Sequence, residues 1–363
     1  NELLIVKKNE KVAVIELGGS HDECLLSQFY ALKSRECYIL FVTTQEVYDR
    51  NSSFHSLIDE LRIIQFSKKA WADFMQMRRL NVFLKQEGYS KVILNTAQGA
   101  HMRNLCLSSS KSLEFIGLVH TLKKFEGSFT QKLIHRKIKK YVVLNDYFVE
   151  RIVPPRGIKV TSFYPLRFPH FNTIIEKKAG EKWITIIGGV ENRRKDLTGS
   201  ISLMKPLIEK GFRFIFLGKS DFTHPDVIAF NCYLKDAGIE HNVQLFDAFV
   251  SAEKFDAYLK ETDFIWPMVH PNTPSAAEYF KNQISGAMNV SFGYKIPMLI
   301  HQEYAQKWKD FEFAIPYSLD NFTEQVLKAT DEQVLVQERL KSAEKFNPLY
   351  QEKKYLDFIF NSH

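Results

Sequence analysis

The sequence predicts an α/β protein made of two tandem, doubly wound parallel sheets. Three observations carry this. Short apolar strands alternate with amphipathic helical runs along almost the whole chain. The alternation breaks near 166–181 and then restarts. The 363 residues exceed one ordinary core and fit two domains of roughly 150–180 residues. The expected division is a first domain at 1–165, a linker at 166–181, a second domain at 182–345 and a terminal helix at 346–363 packing back toward the first.

Composition narrows the class. Apolar residues make up 45% and charged residues 25%, which is ordinary for a soluble globular protein. No apolar run reaches the length of a membrane span, and the first residues carry no signal-peptide pattern, so the expected compartment is cytoplasmic. Cys24, Cys37, Cys106 and Cys232 lack metal-ligand spacing and are expected as small buried apolar groups in a reducing compartment. The net charge of +7 is uneven: residues 1–165 hold 25 Lys/Arg against 16 Asp/Glu (+9), and the remainder 24 against 26 (−2). A basic first half calls for an anionic partner, such as a membrane surface or a phosphorylated substrate. Nucleic acid is the weakest candidate. The aromatics fall inside apolar strands rather than between basic residues.

In the first half, Lys11 to Leu17 reads as a buried strand, followed by Gly18-Gly19 and a helix to about Leu32. This opens a βαβ unit, but it is not GxGxxG. Further strands are expected at Cys37–Val42, Leu61–Phe66, Lys91–Asn95, Phe115–Val119, Tyr141–Leu144 and Lys159–Phe163, with helices at Trp71–Gln86 and Gly99–Leu107. Ligands of such sheets bind outside the carboxyl ends of the strands. Gly18, Gly19, Asn95, His120 and Asn145 all stand at such ends. Each alone reads as a turn residue, and His120 equally as a structural histidine; together on one rim they indicate a site. The run Gln131–Lys140 is a basic helix candidate, fit either to an anionic membrane surface or to packing on the sheet by its apolar stripe.

In the second half, strands are expected at Trp183–Ile187, Phe212–Leu217, Val243–Phe246, Asp263–Trp266 and Met298–Ile300, and helices at Leu197–Lys210, 224–237, Ala252–Lys260, Asn321–Glu344 and Tyr350–Phe360. Arg193, Arg194 and Lys195 lie in the loop between the first of these strands and its helix, and Lys219 ends the next strand. Another helix starts near Ser285-Gly286, where free N–H groups suit an anion. Guanidinium forks, lysine charges and a helix start together make a cradle for a diphosphate. Three cations before a helix oppose its macrodipole by ~0.3–1 kcal/mol each, which favours a bound anion over a merely solvated turn. There is no Walker A pattern, no H-E-x-x-H, no G-x-S-x-G and no acidic cluster for an obligatory metal, and no cofactor is expected.

The segments GGVENRRKDL (Gly188–Leu197), LGK (Leu217–Lys219), VQLFDAFVSAEKFDAYLKETDFIWP (Val243–Pro267) and SGAMNVSFGYKIPMLI (Ser285–Ile300) resemble the C-terminal half of family 4-type retaining glycosyltransferases of the GT-B fold, common in bacterial polysaccharide assembly. The resemblance covers about 182–300 well. It is weaker before that, where Gly18-Gly19 and His120 carry it. It implies two Rossmann-like domains facing across a cleft that holds a nucleotide sugar, UDP-linked by expectation. It implies Arg193, Arg194, Lys195 and Lys219 on the donor diphosphate, with Arg194, Lys195 and His120 as catalytic residues. Ser285 and Gly286 would add helix N-terminal contacts, and Gly18, Gly19 and Asn95 would lie along the sugar or acceptor loop. Phe249 would stand beside the base. The family often carries two glutamates separated by seven intervening residues here; Glu278 stands early, but the following helix has none. The sequence is similar to a Ser-Gly branch of the family, with Asn289 or Ser291 at the ribose.

The implied reaction is retaining transfer to a glycan or lipid-linked acceptor, without a metal, at the inner face of the membrane. The cations and the helix start stabilise the leaving diphosphate. No carboxylate pair supports a double displacement. Two other readings remain: a catalytically silent homologue serving as a binding or scaffold subunit, and a sugar-nucleotide epimerase of the same architecture.

Overall fold

The structure, a computed structural model, describes residues 10–18, 21–67, 69–305 and 313–361. The chain forms two compact units: Asn1–Arg167 with Pro348–His363, and Phe168–Asn347.

Unit 1 is built on seven parallel strands: β1 (Lys11–Glu16), β2 (Tyr38–Thr43), β3 (Glu60–Ile63), β4 (Lys91–Leu94), β5 (Glu114–Val119), β6 (Lys140–Val143) and β7 (Lys159–Ser162). Their order is β3-β2-β1-β4-β5-β6-β7. Ala13 and Ile15 point to one face, where they join Met77, Leu80, Met102, Leu105 and Ile134 from three helices. Phe41 points to the other face and packs edge-on against Phe29 and Phe54. Strands buried on both faces explain their near-continuous apolar runs.

The last helix, Pro348–Phe360, belongs to this unit. The Tyr355 hydroxyl donates to Gln28 Oε1 (2.8 Å), and Arg167 pairs with Glu352 (2.6 Å). The basic helix runs Phe129–Lys137, capped by Ser128, and buries Gln131, Ile134 and His135. Its sheet-packing reading therefore holds, with Lys132 and Arg136 left exposed.

Unit 2 has six parallel strands: β8 (Lys182–Ile187), β9 (Phe212–Lys219), β10 (Val243–Phe246), β11 (Phe264–Ile265), β12 (Met298–His301) and β13 (Ala314–Tyr317), ordered β10-β9-β8-β11-β12-β13. Its core gathers Ile184, Phe214, Phe216, Phe264 and Leu299 from the sheet and Trp266 from just after β11, with Met204, Phe230 and Val326 from helices.

Four sequence expectations shift. Residues 168–181 do not hang free between domains, because Asp256 takes His170 Nδ1 (3.0 Å) and the Phe171 N–H (2.8 Å), and Asp263 pairs with Lys177 (2.6 Å). The run Asn321–Glu344 forms two helices, Phe322–Asp331 and Gln333–Ser342. β13 escaped notice because its four residues include Pro316, which demotes a strand reading. Cys232 is exposed, while the other three cysteines are buried.

Candidate functional site

All strands of unit 2 run parallel, so every loop that follows a strand emerges at one carboxyl edge. The strand order reverses between β8 and β11, and such a switch point opens a crevice for ligands. The loop 188–196 leaves β8 at this point.

Glycine shapes that loop. A Cβ at Gly189 would lie 1.7 Å from the Lys219 carbonyl oxygen, and one at Gly218 would lie 2.4 Å from the Gly188 carbonyl carbon. The turns after β8 and β9 therefore touch backbone to backbone, and only glycine permits it. Lys195 folds beneath this turn, 7% exposed, and its Nζ donates to the Gly189 carbonyl at 2.8 Å. Burial pushes its ammonium down to about 8; Glu191 opposes the shift and Arg194 adds to it.

Arg193 is placed through its carbonyl, which accepts from the Ser275 N–H at 3.1 Å and from the Ser275 hydroxyl. Arg194 is half-exposed and meets Glu191 at 3.2 Å. Lys219 is 55% exposed and touches Asp221 only at 3.9 Å. The macrodipole of the helix after this loop does not by itself call for a bound anion. Asp196 is the N-cap of the helix Leu197–Ile208, accepting the Gly199 N–H at 3.0 Å, so the helix start already has its carboxylate.

Asp196 also anchors the loop. Its Oδ2 meets His270 Nδ1 at 2.8 Å, His270 Nε2 meets the Tyr317 hydroxyl at 2.8 Å, and that hydroxyl accepts from Trp266 Nε1 at 2.7 Å. A carboxylate accepts, so His270 Nδ1 carries a proton and donates it to Asp196, while Nε2 is held by the Tyr317 hydroxyl. This buried relay ties the loop after β8 to the loop after β11 and to β13. The hydrogen bond from His270 holds the Asp196 carboxyl below its ordinary 3.8, and the Gly199 N–H helps. A depressed carboxylate stabilises the fold above its unfolded pKa and loses that contribution as pH falls through the folded one. Unit 2 should therefore lose stability steadily below about pH 4, and Asp196→Asn should flatten this acid limb of a melting-temperature profile. An unchanged limb would remove Asp196 from the account.

The helix Gly286–Tyr294 is capped by Ser285, whose Oγ accepts the Ala287 N–H at 3.3 Å. Gly286 is exposed, with nothing within 4 Å of the space a Cβ would fill. Asn289 lies one turn along on the same face, buried, and its Oδ1 has no hydrogen-bond partner among the described residues. Ser291 corrects the sequence reading. It is fully buried, and its hydroxyl donates to the Ile296 carbonyl at 2.6 Å, so it closes the helix end and is not open to a ribose. Phe249 is 72% exposed in the loop before the helix Ala252–Glu261.

In unit 1 the order reverses between β1 and β4. Glu16 sits there, fully buried. Its Oε1 accepts the Gly18 N–H (2.7 Å), and its Oε2 accepts from Asn95 Nδ2 (2.6 Å) and the Thr96 hydroxyl (2.7 Å). Asn95 is a strut rather than a ligand contact. Its amide also donates to the His21 carbonyl, and its Oδ1 accepts from Gln28 at 2.6 Å. Asn145 is likewise buried, with its Oδ1 capping the helix Asp146–Arg151. Gly18 is exposed, and Gly19 lies outside the described residues.

His120 stacks on His21 at 3.5 Å, and its Nε2 lies 2.9 Å from the Asn95 carbonyl. A carbonyl only accepts, so Nε2 carries the proton and Nδ1 is a bare acceptor. That Nδ1 is buried and has no hydrogen-bond partner among the described residues. Burial, then the neighbouring His21, holds the imidazole down to about 3, so it is neutral at physiological pH. The sequence reading missed Glu16 and the Asp196–His270–Tyr317 relay. A lone carboxylate ending the apolar run KVAVIE was a usable signal for the first. Nothing in the sequence joins the members of the second.

No protein-family model matches this sequence, and no curated protein does. Solved structures do resemble it. A glycosyltransferase from Rickettsia africae superposes with a TM-score of 0.66 at 12% identity, covering 98% of this chain and 100% of that one. The chain has the GT-B fold. Anabaena HepE in complex with UDP gives 0.67 at 10% identity over 96% and 98% of the chains. A UDP-GlcNAc 2-epimerase from Neisseria meningitidis bound to UDP-GlcNAc gives 0.60 at 10% identity over 96% and 99%. Two doubly wound parallel sheets of this GT-B kind put Lys195 and Glu16 each at a switch point of its own sheet.

Proposed function

We propose that this chain is a glycosyltransferase that takes a sugar from a nucleotide-diphosphate donor, UDP-linked, and passes it with retention to a glycan or lipid-linked acceptor. The observation that carries the reading is the cationic loop at the unit 2 switch point: Arg193 and Lys219 exposed, Lys195 held beneath the Gly188-Gly189 turn. UDP in structures of the same fold supports the nucleotide. In this reading Arg193, Arg194 and Lys219 meet the diphosphate from outside, and the Lys195 charge lies under it. The first turn at Ser285-Gly286 supplies N–H donors. Asn289 Oδ1 offers the ribose an acceptor, and Phe249 lies by the base. As charge builds on the leaving diphosphate, these groups stabilise it without a metal. His120, neutral and with a free acceptor at Nδ1, takes a hydrogen bond from a sugar hydroxyl; it is not a proton donor. The exposed cations of unit 1, Lys132 and Arg136 among them, suit an anionic membrane surface at the cytoplasmic face.

Calorimetric titration with UDP tests the site. Arg193→Ala with Lys219→Ala should weaken UDP binding about 10–100-fold, from charge-assisted bonds of ~1.5–3 kcal/mol discounted for their exposure. If UDP and GDP both fail to bind the unaltered protein at millimolar levels, the reading falls. His120→Ala should lower sugar turnover about tenfold, equivalent to one hydrogen bond, with UDP affinity within twofold. An unaffected turnover would favour the silent binding-subunit reading.

The epimerase reading draws on UDP-GlcNAc 2-epimerases of the same fold. It needs acid and base groups, and the carboxylate at the unit 1 switch point already has both oxygens engaged. Release of UDP from UDP-GlcNAc without any acceptor, with formation of the 2-epimer, would decide for it.

A further inference from the structure

We propose a second anion site in unit 1, at the amino edge of its sheet, that takes a phosphate-bearing ligand. A cavity of about 300 Å³ opens where β5, β6 and β7 begin. Five lysines line it: Lys111, Lys137, Lys139, Lys140 and Lys159. Glu114 is the one carboxylate among its lining residues, and its two oxygens are engaged by Lys91 (2.6 Å) and Lys140 (2.9 Å). Lys111, Lys137, Lys139 and Lys159 have no carboxylate within 4.0 Å among the described residues, so the pocket keeps an excess of positive charge. Like charges gathered in a concavity repel one another, and a multiply charged anion removes that repulsion.

The pocket is held in shape by its own bonds. Lys137 Nζ donates to the Ser110 carbonyl at 2.6 Å and lies over the Phe115 ring at 5.2 Å. Lys139 Nζ donates to the His135 carbonyl at 3.1 Å, and Lys140 Nζ to the carbonyls of Ile359 (3.2 Å) and Asn361 (3.1 Å). Lys137 and Lys139 each make one such bond and carry three ammonium protons, so each keeps protons directed elsewhere. Burial lowers the Lys137 pKa, as expected for a cation half out of water without a counter-ion. Lys111 and Lys159 are exposed at the mouth. The size suits a small ligand or a headgroup.

This site is separate from the rim that carries His120. β5 runs from Glu114 at the cavity to Val119 beside His120, a span of about 17 Å at ~3.3 Å per residue. A ligand here would therefore not compete with one at the strand carboxyl ends. The shared chemistry is phosphate, whether on a soluble molecule or on a lipid headgroup, and the test separates the two.

The whole chain is labelled with pyridoxal 5′-phosphate, reduced with borohydride and mapped by mass spectrometry, so each lysine reports separately from Lys195 and Lys219. Lys137 or Lys139 should be labelled at least fivefold above the exposed Lys85, and Lys111→Glu with Lys159→Glu should remove that excess while the melting temperature holds. Both side chains are exposed and make no hydrogen bond or ion pair among the described residues, so folding should be retained. Protection by inorganic pyrophosphate identifies a soluble phosphate ligand. Protection by phosphatidylglycerol vesicles, and not by phosphatidylcholine vesicles, identifies a headgroup. Labelling that merely follows exposure, or that neither probe suppresses, overturns the proposal whatever happens at the donor loop.

Discussion

UDP affinity should be flat up to about pH 8 and then fall about tenfold for each further pH unit. Free Lys195 gives up its proton near 8, because burial beneath the Gly188-Gly189 turn disfavours its charge. A bound diphosphate restores that charge and raises the pKa. Below 8 the lysine is already protonated and binding needs no proton uptake. Above 8 each unit adds ~1.4 kcal/mol to the binding step until the pKa of the complex is reached. Lys195→Gln should weaken UDP about 10–100-fold at pH 7 and abolish the pH dependence. Calorimetry from pH 6.5 to 9 measures both. An affinity that stays level to pH 9 in the unaltered protein would take Lys195 out of the diphosphate site.

The second large effect falls on stability. Gly189→Ala places a methyl group 1.7 Å from the Lys219 carbonyl oxygen, and the obstacle is backbone on both sides. No side chain can rotate away, so the turns after β8 and β9 must separate. The expected loss is about 3 kcal/mol, the upper end for overpacking, with the melting temperature falling by about 6–12 °C for a unit of this size. UDP binding should fall with it, because Lys195 is bonded to the displaced carbonyl. Gly286→Ala is the contrast. Its Cβ meets nothing, so stability should hold while UDP weakens, because the methyl stands where a phosphate approaches. A Gly189→Ala protein that melts normally would show that the two turns are not in contact in solution.

Much of the fold was legible. Runs such as KVAVIE, YILFVT and WITII have strand length and are apolar throughout, and this reports a parallel sheet covered on both faces. Boundaries moved by one to three residues, because hydrogen bonds and not hydrophobicity end a strand. The break at Glu332 was hidden because its flanks are equally helical in composition.

The site was legible in part, and the reason can be read from particular residues. The cations of the loop 193–195, Lys219, Ser285, Gly286 and His120 all stand at strand ends or helix starts, which local pattern reveals. What each does depends on partners far away in sequence. Asn95 and Ser291 looked available because polar residues at such positions usually are. Glu16, Gln28 and the Ile296 carbonyl occupy them instead. Lys195 looked like one of three surface cations, and the turn from Gly188 buries it.

By itself the sequence determined the alternation of strands and helices, the restart that makes two doubly wound sheets, and the chemical kinds of side chain at their rims. These are local properties of the chain, set by periodicity and by turn residues. Strand order was decided only in the tertiary structure, and with it the switch points at β1/β4 and β8/β11. So were the relay from Asp196 through His270 to Tyr317 and the lysine-lined cavity at the other edge. Each joins residues from separate strands or loops, and their proximity comes from sheet pairing and burial rather than from any spacing along the chain.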